Sequence, residues 1–278
     1  MHSMKKKALA ANIIQKLILI IIGIFMFLPI YIALVNTFKD SDVILNDPMS
    51  FPIPPIIDNI KAVLESSNTN LPEMYSNSLI LVIAGTAITI LVSSMASYFL
   101  ARVSSRFSKV LRIYFLAGLM VPYVIVYLPL CILMRNLNIP FGVPSLIFIF
   151  VSGNISFSTF MYTNFIRALP MELEESAAID GAGAFKRFWL VLFPLLKPCT
   201  ATVMIFVGLG IWNDFQTPLL MGQVRTITVG IYTAIGPYSA NWGVVFAYVF
   251  FAVAPVIVLY LFAQKSFVAG LTSGALKG

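Results

Sequence analysis

The sequence predicts an all-α integral membrane protein with six transmembrane helices and cytoplasmic N- and C-termini. Three observations lead there. Hydrophobic residues fill 59% of 278 positions and charged residues only 10%, with a mean hydropathy of +0.93. A soluble domain carries about 25% charged residues, so this chain must use lipid as its solvent. Six segments hold the roughly 20 apolar residues that a helix needs to cross a ~30 Å hydrocarbon core. Finally, the basic residues collect on alternate loops.

The first segment, Ile13–Val35, follows a basic head that contains Lys5, Lys6 and Lys7. A secretory signal has an apolar region of about 7–15 residues and then a small-residue cleavage site. This run has no such site, so it reads as a retained span. The others are Ser78–Leu100, Leu111–Met134, Val143–Ile166, Thr200–Met221 and Val244–Gln264. Pro122 and Pro129 predict a bend in the third, and Gly208 and Gly210 are points where the fifth can loosen. The runs are continuous rather than alternating, which favours helices over a barrel.

The loops give the direction. Lys16, Arg102, Arg106, Lys109, Arg112, Arg167, Lys186, Arg187, Lys197, Lys265 and Lys277 join the three N-terminal lysines, so 14 of the 18 Lys and Arg lie on one side. Lys39, Lys61, Arg135 and Arg225 lie on the other, with Asp40, Asp42, Asp47, Asp58, Glu65 and Glu73. The basic side is cytoplasmic. Topology thus accounts for the net charge of +7, and no nucleic-acid partner is expected. Tyr238 and Trp242 fit an outer aromatic belt, and Trp189 an inner one. Cys131 and Cys199 have no disulfide or metal-ligand spacing and read as small apolar residues.

One stretch breaks the apolar pattern. "LPMELEESAAIDGAGAFKRFWLVLFPLLKP", Leu169–Pro198, concentrates charge between two spans. Pro170 can open a helix, and Glu172, Glu174 and Glu175 suit its positive N-terminal end. Gly181 and Gly183 can end it. Phe185, Phe188, Trp189 and Leu192 recur on one face of a second helix, which Pro194 and Pro198 close. A helix–turn–helix at the cytoplasmic surface follows. Its small-residue centre, "SAAIDGAGA", suits either docking under another protein or an amphipathic connector resting on headgroups.

This stretch resembles the EAA loop of ABC-importer permeases, in particular the carbohydrate-uptake subfamily of MalG-like, maltose-transporter type. Further resemblances run in the same order along essentially the whole chain: "NSLILVIAG", "ASYFLAR", "VPYVIVYLPL", "WNDFQTPLL" and "FVAGLTSGALKG". The resemblance implies a type I ABC-importer transmembrane fold. Residues 1–72 would form the N-terminal tail, first span and acidic external loop, 73–265 the transmembrane core with its coupling loop at 167–198, and 266–278 a cytoplasmic tail. It implies that Glu175, Ser176, Ala177, Ala178, Asp180 and Gly181 couple the chain to an ATPase. Ser176 departs from the family's usual alanine. The implied partners are a cytoplasmic ABC ATPase dimer, a second homologous permease completing a heterodimer, and an extracytoplasmic solute-binding protein that faces the loop Gly222–Asn241. The implied substrate is a carbohydrate, with an oligosaccharide expected, and the implied location is the bacterial inner (plasma) membrane.

Polar residues inside the spans raise a second question. Gly85, Thr89, Ser93 and Ser97 recur along span two, and Ser152, Ser156, Thr159 and Thr163 trace a face of span four beside Asn154. Each set suits either the wall of a substrate path or close helix packing. Asp214, with Trp212 and Asn213, is the sole acid within a predicted span. It suits either a role at the outer mouth or hydrogen-bonded structural support. Asn154, Ser156, Thr159, Trp212, Asn213 and Asp214 are therefore the candidate pathway or gate residues.

Other classes fit less well. The one histidine is His2, and no pair of intramembrane acids or metal-ligand cluster exists, which leaves an intramembrane enzyme little to work with. No catalytic or metal residues are expected. No G-x-x-x-x-G-K-[ST] phosphate cradle is present, so ATP and Mg would bind the partner ATPase and this chain would hold no cofactor. A secondary transporter would show coupling charges near the midplane or inverted repeats. The same import machinery carrying a non-sugar solute such as glycerol 3-phosphate is the nearer alternative.

Overall fold

A computed structural model describes residues 2–65, 70–236 and 240–275. Helices dominate: α1 (His2–Asn36), α2 (Ser41–Asn46), α3 (Asp58–Glu65), α4 (Leu71–Arg102), α5 (Arg106–Met120), α6 (Tyr123–Asn136) and α7 (Val143–Arg167). After them come α8 (Glu172–Ile179), α9 (Ala184–Leu195), α10 (Lys197–Asn213), α11 (Ile227–Ala234) and α12 (Trp242–Ala275). A single isolated antiparallel bridge, Ile235 with Ala240, is the β-structure among the described residues. Tyr238, expected in the outer aromatic belt, lies outside the described residues.

Four helices are long and apolar enough to cross a membrane: Asn12–Asn36, Leu71–Arg102, Val143–Arg167 and Trp242–Leu261. They match predicted spans one, two, four and six. Predicted spans three and five are not single straight helices. In place of Leu111–Met134, α5 and α6 meet at 111°. The cause is local: Val121 (ψ 115°) and Pro122 (ψ 120°) are extended, because a proline ring disfavours helical geometry in the residue before it. Pro129 lies within α6 without ending it. The fifth helix starts at Lys197, is set at 77° to α9, and stops at Asn213 rather than running on to Met221. Its 17 residues span about 26 Å.

The chain divides into two compact units. One comprises the residues up to Leu71 with Gly230–Pro255, and the other comprises Pro72–Val229 with the residues from Val256 on. In the first, Asn59 organises the loop after α1 by donating to the carbonyls of Thr37 (3.0 Å) and Lys39 (2.8 Å). A Cβ at Gly243 would collide with the Asn59 amide, so glycine there permits the close approach of α12. Lys39 donates to the Asp47 carbonyl at 3.1 Å, and desolvation lowers its pKa against the opposing field of Asp47. By contrast, α1 presents almost its entire apolar length outward, with Phe25 75% exposed.

The second unit packs α4, α7 and α10 around one core that includes Leu81, Leu146, Ile149, Tyr162 and Val203. Thr89, Ser93 and Ser97 are fully buried within it. Thr89 bonds back to the Gly85 carbonyl at 2.7 Å, and Ser97 donates across to the Thr159 carbonyl at 3.0 Å. A Cβ at Gly85 would stand 2.9 Å from Ile211 Cδ1, and Gly208 faces Thr86 and Val82. The span-two stripe is therefore helix packing, and Gly208 serves close contact rather than loosening.

Candidate functional site

Two places gather the predicted residues. The first is the elbow between α7 and α10. Helix α8 ends in a complete Schellman motif: Ala182 N–H donates to Ala177 O (2.9 Å) and Gly181 N–H to Ala178 O (3.0 Å). Gly181 takes φ +81°, and a Cβ there would meet nothing within 4 Å. The requirement for glycine is thus conformational within this chain, and the space beside it is open.

Of the predicted coupling residues, Glu175, Ser176, Ala178, Asp180 and Gly181 are exposed and Ala177 is half-buried. Ile179, between them, is 87% exposed. Ser176 donates its hydroxyl to the Glu172 carbonyl at 2.8 Å, so the departure from alanine adds no free polar group to the surface.

Glu174 behaves differently from its neighbours. It is buried, and Arg102 Nε at the end of α4 donates to its Oε1 at 2.7 Å. Arg102 Nη2 also donates to the Leu169 carbonyl at 3.2 Å. The guanidinium thus fixes both the helix and the chain entering it. Sequence reasoning treated Glu174 as one more N-terminal acid. Its i, i+3 spacing from Ala177, which sets both on the inward face of α8, was the available signal.

Beneath α8, α9 contains a π-helical turn at Arg187–Leu192. Phe188 and Leu192 are buried, and Trp189 is half-buried between Phe188 (5.0 Å) and Phe193 (4.8 Å). Tyr98 of α4 reaches the same cluster through Phe188 at 5.4 Å. Phe185 is 67% exposed, so the predicted four-residue apolar face is really the pair Phe188 and Leu192 with Trp189 at its edge.

The second place is a cleft of about 730 Å³ among α5, α6, α7 and the end of α10. Ser152, Asn154, Ser156 and Asp214 line it with the aromatic rings of Tyr114, Phe115 and Tyr123. Gly153 is needed here, because a Cβ would stand 2.9 Å from the Tyr123 ring. The Tyr123 hydroxyl is buried with no hydrogen-bond partner among the described residues. Asn154 donates to the Phe150 carbonyl at 2.8 Å.

Asp214 does not lie inside a continuous helix. It ends α10 and caps the turn that follows, accepting from Thr217 N–H at 3.0 Å on Oδ1 and from the Thr217 hydroxyl on Oδ2. A hydroxyl has one proton, so the Tyr127 hydroxyl, 3.1 Å from Thr217 Oγ1, must donate to it. The Asp214 carbonyl accepts from Thr228 at 3.1 Å. Asp214 thus supports the backbone while one edge borders the cleft.

The other candidates separate from this cleft. Trp212 is buried, with its ring 6.4 Å from Tyr75, and Asn213 is exposed. Thr159 is buried and lines a different pocket, with Thr163. The polar stripe of α7 therefore feeds two cavities, Ser152 and Ser156 one and Thr159 and Thr163 the other.

Known proteins resemble this chain along nearly all of it. Residues 90–271 match the model of the family described as binding-protein-dependent transport system inner membrane component. The probable starch degradation products transport system permease protein of Thermoanaerobacterium thermosulfurigenes is 31% identical over 95% of this chain and 98% of its own. The melibiose/raffinose/stachyose import permease protein of Bacillus subtilis is 33% identical over 91% and 92%. Among solved structures, a bacterial ABC transporter involved in the import of the acidic polysaccharide alginate shares the fold, with a TM-score of 0.77 at 19% identity, covering 91% of this chain and 95% of that one. This chain belongs to the family of binding-protein-dependent transport system inner membrane components, and it is a multi-pass membrane protein.

Proposed function

We propose that this chain is a transmembrane permease subunit of an ATP-binding-cassette importer for a carbohydrate, with an oligosaccharide as its expected cargo. It supplies half of the translocation path, and a second permease subunit supplies the other half. An extracytoplasmic binding protein delivers the solute, and a separate cytoplasmic ATPase dimer binds ATP and Mg and supplies the energy.

One observation carries the reading. The elbow holds an exposed small-residue helix, with Ile179 87% exposed at its centre, on a buried base fixed by Arg102 and Glu174. An apolar side chain left bare beside small residues suits insertion into a partner. The rigid base suits transmission of force: closure of the ATPase pulls α8, and the ion pair and the aromatic cluster carry the movement to α4. Glu175, Ser176, Ala177, Ala178, Asp180 and Gly181 would form the contact surface.

The carbohydrate assignment draws support from the relatives, which include permeases for starch degradation products and for melibiose, raffinose and stachyose, and from the chemistry of the cleft. Sugar rings present an apolar C–H face and a rim of hydroxyls. Tyr114, Phe115 and Tyr123 supply aromatic faces, and Ser152, Asn154 and Ser156 supply hydrogen-bonding groups.

The test is uptake by the reconstituted complex, with cysteine cross-linking from position 178 or 179. Cross-links to an ATP-hydrolysing subunit and ATPase stimulation by oligosaccharide with its binding protein are expected. Stimulation by glycerol 3-phosphate and by no sugar would overturn the cargo assignment. Absence of any cross-link to an ATPase would overturn the coupling role.

A further inference from the structure

The cavity below the cleft has a different chemistry. It encloses about 350 Å³ between the end of α4, α5 and the last turns of α7. Lys109, Arg112 and Arg167 line it together with Asn164, and no acid does. Among the described residues none of the three cations forms an ion pair, and Arg112 Nε is buried with no hydrogen-bond partner. Thr159 and Thr163, 1% and 5% exposed, line the same pocket with hydroxyls that also lack partners. A buried donor without a partner is costly. Here three such donors, Arg112 Nε and the two threonine hydroxyls, belong to residues lining one pocket with two further, exposed cations, Lys109 and Arg167.

That arrangement calls for an anion rich in acceptor oxygens. Phosphate meets the requirement, because its oxygens accept from guanidinium, ammonium and hydroxyl donors at once. The rest of the wall says which phosphate. Ile113 and Leu116 of α5 and Phe160 of α7 border the pocket and are 66%, 45% and 39% exposed. The apolar surface runs on outward from the polar seat, as an acyl chain attached to a headgroup would need. The pocket also lies at the end of the spans that carries α8, since Arg167 ends α7 and Leu100 lies near the end of α4. Basic pockets between helices at that face are a recognised form of anionic headgroup site.

We propose that Lys109, Arg112 and Arg167, with the hydroxyls of Thr159 and Thr163, seat the phosphate of an anionic phospholipid whose acyl chain lies along Ile113, Leu116 and Phe160. The lipid acts as a structural ligand that joins α5 to α7 beside the elbow.

The test uses the full-length protein with the partner chains it co-purifies with, in nanodiscs of phosphatidylcholine containing a photoactivatable phosphatidylglycerol. Labelling is expected within residues 109–116 or 160–167, and K109Q/R112Q/R167Q should lower it about a hundredfold, at roughly fivefold per cation. The triple variant K16Q/K61Q/R225Q removes the same charge elsewhere and should label like the wild type. If K109Q/R112Q/R167Q does not fold, competition on the wild-type protein decides the matter: unlabelled phosphatidylglycerol should displace the probe, and millimolar inorganic phosphate should not. Equal labelling by a phosphatidylcholine probe would overturn the proposal. So would displacement by inorganic phosphate, which would give the site to a free anion, or labelling of the partner permease in place of this pocket.

Discussion

Glu174→Gln removes one charge from a pair whose members are 5% and 12% exposed and lie 2.7 Å apart. A surface pair contributes about 0.2–1 kcal/mol, whereas breaking a buried pair by removing one partner costs about 3–5 kcal/mol. The Arg102–Glu174 contact is a single bond rather than a fork, and Arg102 keeps its bond to Leu169 O after the change. The cost should therefore sit below the buried range, at about 2–3 kcal/mol. It should appear as undocking of α8 before global unfolding, because α8 is short and exposed on its other face. In the assembled complex, amide hydrogen exchange of Glu172–Ile179 should then quicken about 30- to 150-fold. Arg102→Gln should act alike. The double variant should fall short of the sum of the singles by about 1–2 kcal/mol, since the pair is already broken in either one. Solute moved per ATP hydrolysed should fall in step with the exchange. Unchanged exchange in both single variants, or strictly additive effects in the double, would refute the clamp.

Four further outcomes are expected. Gly181→Val should cost about 1–2 kcal/mol through its left-handed backbone and abolish uptake while leaving membrane insertion intact; Gly181→Asn should be milder, and full uptake by the valine variant would count against coupling here. Asp214→Asn keeps an Oδ1 acceptor for the Thr217 amide, so structural support predicts most of the uptake retained, whereas Asp214→Ala should lower thermal stability by about 1–2 kcal/mol. Ser176→Ala should leave uptake within about twofold, because its hydroxyl already turns back onto Glu172 O and the net worth of such a bond is about 1 kcal/mol. Gly243→Ala should destabilise by about 1–3 kcal/mol through overpacking against Asn59, read as a lower melting temperature of the purified protein.

How much of this was legible beforehand varied by element. The helix–turn–helix outline of the elbow was readable, because its glycines, N-terminal acids and prolines act through local backbone geometry, whereas the buried pairing of Glu174 and the π-helical turn of α9 were not. In the third span the bend expected at Pro122 is present, but its size, a 111° break between two separate helices, was not legible, since a long apolar run masks a break that hydropathy does not register. Asp214 looked like a charge stranded in a helix, yet "DFQT" is an N-cap followed by its third residue. Reading it so needed the helix end to be known.

The sequence by itself determined that this protein lives in a bilayer, how many apolar stretches it offers, and which short segment leaves them for water. Those properties follow from composition, period and local propensity, which neighbours in the chain fix between them. Only the tertiary structure decided that Glu174 faces Arg102 while Glu175 faces out, that one α7 stripe serves two cavities, and that three cations from α5 and α7 converge without an acid. These depend on which helices pack together and at what rotation. Within a span nearly every face is apolar, so hydrophobicity places almost no constraint on that rotation and side-chain packing sets it instead.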